Sequence, residues 1–277
     1  MTSTKCLRAQ PARRAVPERH RRAAFFGTAA LLFAASAAAT IVWCVSMAGM
    51  GDIPMPGGWT LSGLWTPLCG QGWADAAACF VGMWTVMMAA MMLPSLAPML
   101  WRYSQALGMG GQADAGRLTA LAAGGYFLAW ILSGALVFAL CAAFAEVAMR
   151  VPAIARAVPL AMAAVVALAG AFQFTSRKAR HLACCRRASR HPLPLRANAG
   201  AAWRHGVSLG FQCIQACAGL TAILLVVGVM DLRAMAVATA IITAERLAPA
   251  GERIAWAAGA VSVVTGVYLM GRAAWLL

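Results

Sequence analysis

Charge is what this chain has least of. Eight acidic and 23 basic residues are spread over 277 positions, while 62% of the residues are apolar. A soluble fold of this length needs more polar surface, and the apolar runs lack the polar face of an amphipathic helix. There is also no glycine-rich phosphate loop, no His-Glu-x-x-His pair and no catalytic triad that could share a pocket, so hydrolytic chemistry finds no support. No composition shift marks off a second, soluble domain.

What the chain does have is long hydrophobic runs, at about residues 23–48, 75–100, 118–145, 158–175, 206–230, 232–248 and 254–276. A helix rises ~1.5 Å per residue and the hydrocarbon layer is ~30 Å thick, so these runs read as membrane spans. The expected fold is all-α, a polytopic transmembrane bundle of about seven spans. It falls to about six if the short sixth run, apolar only from Leu232 to Ala244, is re-entrant, and the C-terminus then changes sides. Residues 23–277 would form one membrane domain behind a basic tail, 1–22.

The positive charge is segregated by loop. Counting seven spans, the N-terminus and every second loop, including the basic loop 176–205, hold 19 of the 23 bases. The opposite side holds only Arg150, Arg156, Arg233 and Arg272. This positive-inside pattern predicts a cytoplasmic N-terminus and basic loops lying against anionic lipid, and it argues against nucleic-acid binding. The first apolar run is too long for a cleavable signal and reads as an anchor; the Arg13-Arg14 and Arg21-Arg22 pairs carry little weight as an export signal before so many spans.

Sulfur is the second abundance, with 16 methionines and nine cysteines. Met83, Met87 and Met91 are spaced by four on one helical face, with Met88 and Met92 alongside. Thioethers are soft donors suited to Cu(I), and they are also adaptable core fillers; the spacing satisfies both roles. Cys213 and Cys217 also stand four apart, so one ion could bridge them, or they could pack beside Gly206 and Gly210 in a small-xxx-small helix contact. Counted from the cytoplasmic end they lie about 10 and 16 Å deep, near the levels of Met87 and Met83 counted from the outer end.

Other candidates are more dispersed. His181 with Cys184 and Cys185 offers donors in the basic loop, where the arginines would repel an arriving cation. Cys44, Cys69, Cys79 and Cys141 map to the outer half and could form a disulfide or a soft funnel, while Cys6 stands alone in the tail. His20, His191 and His205 read as solvated loop residues. Pro94 and Pro98 should bend the second span. Glu245 is the acid nearest lipid depth, a costly position that points either to a role or to simple pairing with Arg246 at the interface, and Asp75 fits a helix N-terminus.

Three motifs occur in an order that resembles a known family. They are Met83-Trp84-Thr85-Val86-Met87-Met88-Ala89-Ala90-Met91-Met92-Leu93-Pro94-Ser95, then Phe172-Gln173-Phe174-Thr175-x-x-Lys178 followed by Cys185. The third is Gly210-x-x-Cys213, running through Gly228-Val229-Met230 to Glu245-Arg246-Leu247-x-Pro249. Together they resemble metal-binding integral membrane proteins long known as a domain of unknown function, and the resemblance covers about Trp73 to Gly251.

That resemblance implies a multispan bacterial inner-membrane protein and a copper-chaperone role in maturing copper enzymes such as tyrosinase-like oxidases. The chain departs from the family pattern at Ala216, where a cysteine is common, and at Gly219 and Thr221. It departs again at His181, which stands in place of cysteine, and at Ser176 and Ala188 in place of prolines.

The resulting expectation is a non-enzymatic protein that binds copper, as Cu(I), and passes it to a copper-dependent oxidase or metal carrier. Met87, Met91, Cys213 and Cys217 are the expected ligands, then Met83, with His181 and Cys185 as further positions in the loop. The alternatives are a metal transporter, a thiol-redox membrane protein and a non-metal scaffold subunit.

Overall fold

The computed structural model describes residues 12–47, 53–65, 72–109, 114–190 and 198–275, without the side chains of 12–17, 64, 109 and 185–190. Among them are eight helices: α1 (Ala12–Met47), α2 (Trp73–Met109), α3 (Ala115–Arg150), α4 (Pro152–Phe172), α5 (Ser176–Arg190), α6 (Ala199–Val227), α7 (Leu232–Leu247) and α8 (Gly251–Ala274). A small antiparallel hairpin, β1 (Ile53–Met55) and β2 (Trp59–Leu61), follows α1 and donates from the Trp59 indole to the Ala155 carbonyl near the start of α4. Apart from that hairpin and a single 3-10 turn, the described residues form a helical bundle of the expected all-α class.

Six helices, α1, α2, α3, α4, α6 and α8, are long and apolar enough to cross a membrane. The seventh expected span, α7, has 16 residues, or about 24 Å of helix, less than a bilayer's hydrocarbon thickness. Asp231 starts it sharply by accepting from the Arg233 and Ala234 amides, and Gly228, at φ 130°, ends α6 just before.

Two helix boundaries differ from the sequence reading. The basic loop 176–205 is largely helical, with α5 over Ser176–Arg190 and α6 starting at Ala199 under an Asn198 cap. Alanine, arginine, lysine and leucine favour helix even where hydropathy is low, so polarity alone misplaces these limits. The expected bend at Pro94 and Pro98 does not break α2, which is one helix from Trp73 to Met109. The Ser95 hydroxyl bonds the Met92 carbonyl in the same turn.

Small residues set the packing around the core. A Cβ on Gly206 would lie 2.0 Å from the Ala122 carbonyl oxygen, and one on Gly210 would lie 2.7 Å from the Ala129 side chain. These glycines let α6 close onto α3. Cys213 and Cys217 fall seven residues after Gly206 and Gly210, two turns along the same face, and are carried into the interior. The second and fifth apolar runs, and with them the methionine run and the cysteine pair, are carried by α2 and α6. Helices α2 and α6 both pack on α3, α5 and α7 and meet each other through long side chains, not through close backbone contact.

Candidate metal centre

The methionine run lies in the most enclosed part of the fold. Met88 and Met92 have no exposed surface, Met83 and Met87 are 2% exposed and Met91 4%. All five share one core cluster with Phe80, Trp84, Tyr126 and Trp130. The indole of Trp84 donates to the Trp130 carbonyl at 3.1 Å, which fixes the α2 side of this core on α3.

Across from α2, Cys213 and Cys217 are also buried, and both are free thiols. The Cys213 sulfur lies 3.7 Å from the Met92 sulfur and accepts a hydrogen bond from the Tyr126 hydroxyl at 2.9 Å. Cys217, one turn along α6, interacts with Cys213 directly. Two sulfurs 3.7 Å apart can share one ion at an ordinary metal–sulfur distance of about 2.3 Å. Three donors, Cys213, Cys217 and Met92, therefore converge from two helices, with a phenol beside them.

The sulfur level is a correction to the depth argument from sequence, which set Cys213 beside Met87. The sulfur that Cys213 meets is that of Met92. Helix α2 starts at Trp73, two residues from the expected 75, but α6 begins seven residues before 206, so it is the depth origin for Cys213 that was displaced.

Charged side chains converge beneath the thiols. Lys178, 2% exposed, donates from Nζ to Glu245 Oε2 at 2.7 Å and to the carbonyl of Ala216, the residue just before Cys217. Glu245 is itself 2% exposed and pairs with Lys178 in the interior, where its sequence neighbourhood suggested an interfacial position. Arg246 instead donates to the Ser95 hydroxyl at 3.1 Å and reaches Cys213. Met92, Ser95, Arg246 and Cys213 thus form a connected set. Burying an ion pair removes two solvation shells, which is tolerated only where both partners and their remaining hydrogen-bonding atoms are matched.

Other sequence candidates lie elsewhere. His181 is half-buried on α5, and Cys184, exposed on the same helix, donates to the Gln212 side chain at 3.1 Å. The side chain of Cys185, together with Cys6, Cys69 and His191, lies outside the described residues. Cys44, Cys79 and Cys141 carry free thiols. His205 is not solvated but half-buried, its ring stacked on Tyr103 at 5.1 Å. Asp75 bonds the Gly72 amide at the start of α2, as expected for a structural acid.

Sequence reasoning missed Tyr126, for which no spacing signal existed, and undervalued Met92, Lys178, Glu245 and Arg246. The last four all lie inside the motifs that carry the family resemblance. Among the described residues no group of three or more His, Cys, Asp or Glu side chains comes together. A metal centre here has to draw on thioethers, which suits a soft ion and disfavours a hard one.

A family model described as PpoB2, copper chaperone, matches residues 81–269, well over half of the chain and including every residue of the sulfur and charge cluster just described. No curated protein and no solved structure matches.

Proposed function

We propose, since the chain belongs to the PpoB2 copper chaperone family, that it holds Cu(I) between Cys213, Cys217 and Met92 and hands it to a copper-dependent oxidase or a metal carrier. The observation that carries this reading is the Cys213–Met92 sulfur contact of 3.7 Å, one helical turn from a second buried thiol. Met87, Met91 and Met83 supply further soft donors along α2, so the ion can change ligands without entering an aqueous phase. A bis-thiolate Cu(I) unit is anionic, and Lys178 and Arg246 provide compensating positive charge in a low-dielectric interior.

Transfer proceeds by exchange of one sulfur ligand for another, with no covalent chemistry on the protein. His181 and Cys185 would collect copper at the basic face, which the positive-inside pattern places in the cytoplasm of a bacterial inner-membrane protein. The test is anaerobic competition for Cu(I) with a chromogenic chelator, comparing the wild type with a Cys213→Ser, Cys217→Ser double variant. Tight binding of about one ion that the double variant loses supports the reading. No competitive binding by the wild type overturns it, and leaves the sulfur as packing.

The transporter reading has one observation in its favour, the length of the buried thioether column from Met83 to Met92, about 14 Å of helix. It predicts net copper flux across proteoliposomes, whereas a chaperone predicts transfer that depends on the partner.

A further inference from the structure

The Cys213–Met92 arrangement occurs a second time. Near the end of α1, the Cys44 thiol lies 3.6 Å from the sulfur of Met230, which sits in the turn between α6 and α7. Cys44 is 7% exposed, belongs to the same core cluster as the α2 methionines, and has Met230 and Met47 packed against that cluster. Met235 and Met83, both buried, are members of it as well. A lone buried cysteine is usually inert packing. Here a thiol and a thioether from separate elements approach to 3.6 Å, against 3.7 Å in the inner pair, and thioethers occupy the core between the two pairs.

The two pairs lie at different depths. From Cys213 to Gly228, which ends α6 just before Met230, there are 15 residues, or about 22 Å of helix. The Met83–Met92 column covers about 14 Å of that interval. Cys44 stands three residues from the last residue of α1, and α2 begins on the same side, so the second pair sits near the bundle end opposite to the basic start of α6. Cys44 also lies outside the stretch that the family model matches.

We propose that Cys44 and Met230 form a second, weaker Cu(I) site, from which copper leaves the bundle at that end. The proposal rests on the copper-holding reading above and adds the exit to it. One thiolate donor in place of two makes this site the weaker, and a weak terminal site lets the ion depart to an acceptor. At each step one copper–sulfur bond forms as another breaks. Copper remains Cu(I) throughout, the Cys44 thiol yields its one proton to water at the bundle end, and the two inner thiolates regain two protons from water as the ion leaves them.

The experiment is anaerobic Cu(I) titration of the full chain in nanodiscs, followed by the rate of release to a hydrophilic Cu(I) chelator. It compares the wild type with Cys44→Ser, Met230→Leu and the Cys213→Ser, Cys217→Ser double variant. The expected wild type takes up a second equivalent at least about tenfold more weakly than the first. Cys44→Ser and Met230→Leu lose that second equivalent, keep the first, and release copper about tenfold more slowly. The double variant loses the first equivalent and keeps the second. If Cys44→Ser and Met230→Leu match the wild type in stoichiometry and release rate while the double variant loses its copper, the exit site is wrong and the inner site stands. If the wild type binds no Cu(I), both fall.

Discussion

The Tyr126 hydroxyl donates to the Cys213 sulfur at 2.9 Å, which ties α3 to the thiol at the centre of the cluster. The bond depends on the Gly206 and Gly210 contacts that draw α6 onto α3. Loading with Cu(I) places negative charge on that sulfur, and a hydrogen bond to a charged acceptor is stronger than one to a neutral thiol. The loaded state therefore gains more from Tyr126 than the empty state does.

Tyr126→Phe should accordingly keep copper stoichiometry while lowering affinity about fivefold, the equivalent of one hydrogen bond of about 1 kcal/mol. Chelator competition measures the affinity, and the sulfur-to-copper charge-transfer absorption should shift because the sulfur loses its donor. Unchanged affinity with an unchanged absorption would remove Tyr126 from the site.

Met92→Leu conserves volume and apolar burial, so the fold should tolerate it with a cost below about 1.5 kcal/mol. Copper affinity should fall by about tenfold or more, since a soft donor is replaced by a group that cannot bind metal. Met88→Leu, at an equally buried position, serves as the comparison. Equal affinity in the Met92 variant and the wild type would mean that the 3.7 Å sulfur contact is packing alone.

The sequence made the architecture readable because lipid imposes a simple rule, long apolar helices with basic loops on one side. The six full-length helices and the short α7 follow from that rule. The sulfur ladder and the Cys213–Cys217 pair were equally visible, since helical periodicity fixes which residues share a face. The register between two helices was not, because it depends on where each begins, and arginine-rich segments such as Ser176–Arg190 extend helices beyond their apolar cores. The partner of Glu245 was hidden for a related reason. Lys178 is 67 residues away in sequence and lies next to arginines that look solvated, yet it folds inward to Ala216 and Glu245.

That pair yields its own prediction. Lys178→Met leaves the Glu245 carboxylate in the interior without its ammonium, and Glu245→Met strands the ammonium; each should cost about 3–5 kcal/mol. The double variant Lys178→Met, Glu245→Met removes both charges and should recover most of the loss. Thermal denaturation in detergent measures stability across the cycle. The double variant should still bind copper more weakly than the wild type, because one of the two compensating cations is gone. Additive single losses would show that the two residues act independently.

The close approach of α3 and α6 gives the sharpest test of the packing. At Gly206 an added methyl would meet backbone, the carbonyl oxygen of Ala122 at 2.0 Å and its carbon at 2.7 Å, so no side chain can swing aside. Gly206→Ala must therefore push the helices apart, pulling Cys213 off Tyr126 and away from Met92. Both thermal stability and copper affinity should drop, the affinity by about tenfold or more. Gly82 in α2 has open space around the same atom, and Gly82→Ala should leave copper binding unchanged while raising helix stability by up to about 1 kcal/mol. If Gly206→Ala binds copper as tightly as Gly82→Ala does, the geometry of α6 against α3 does not set the site, and the convergence of Cys213, Cys217 and Met92 would need another origin.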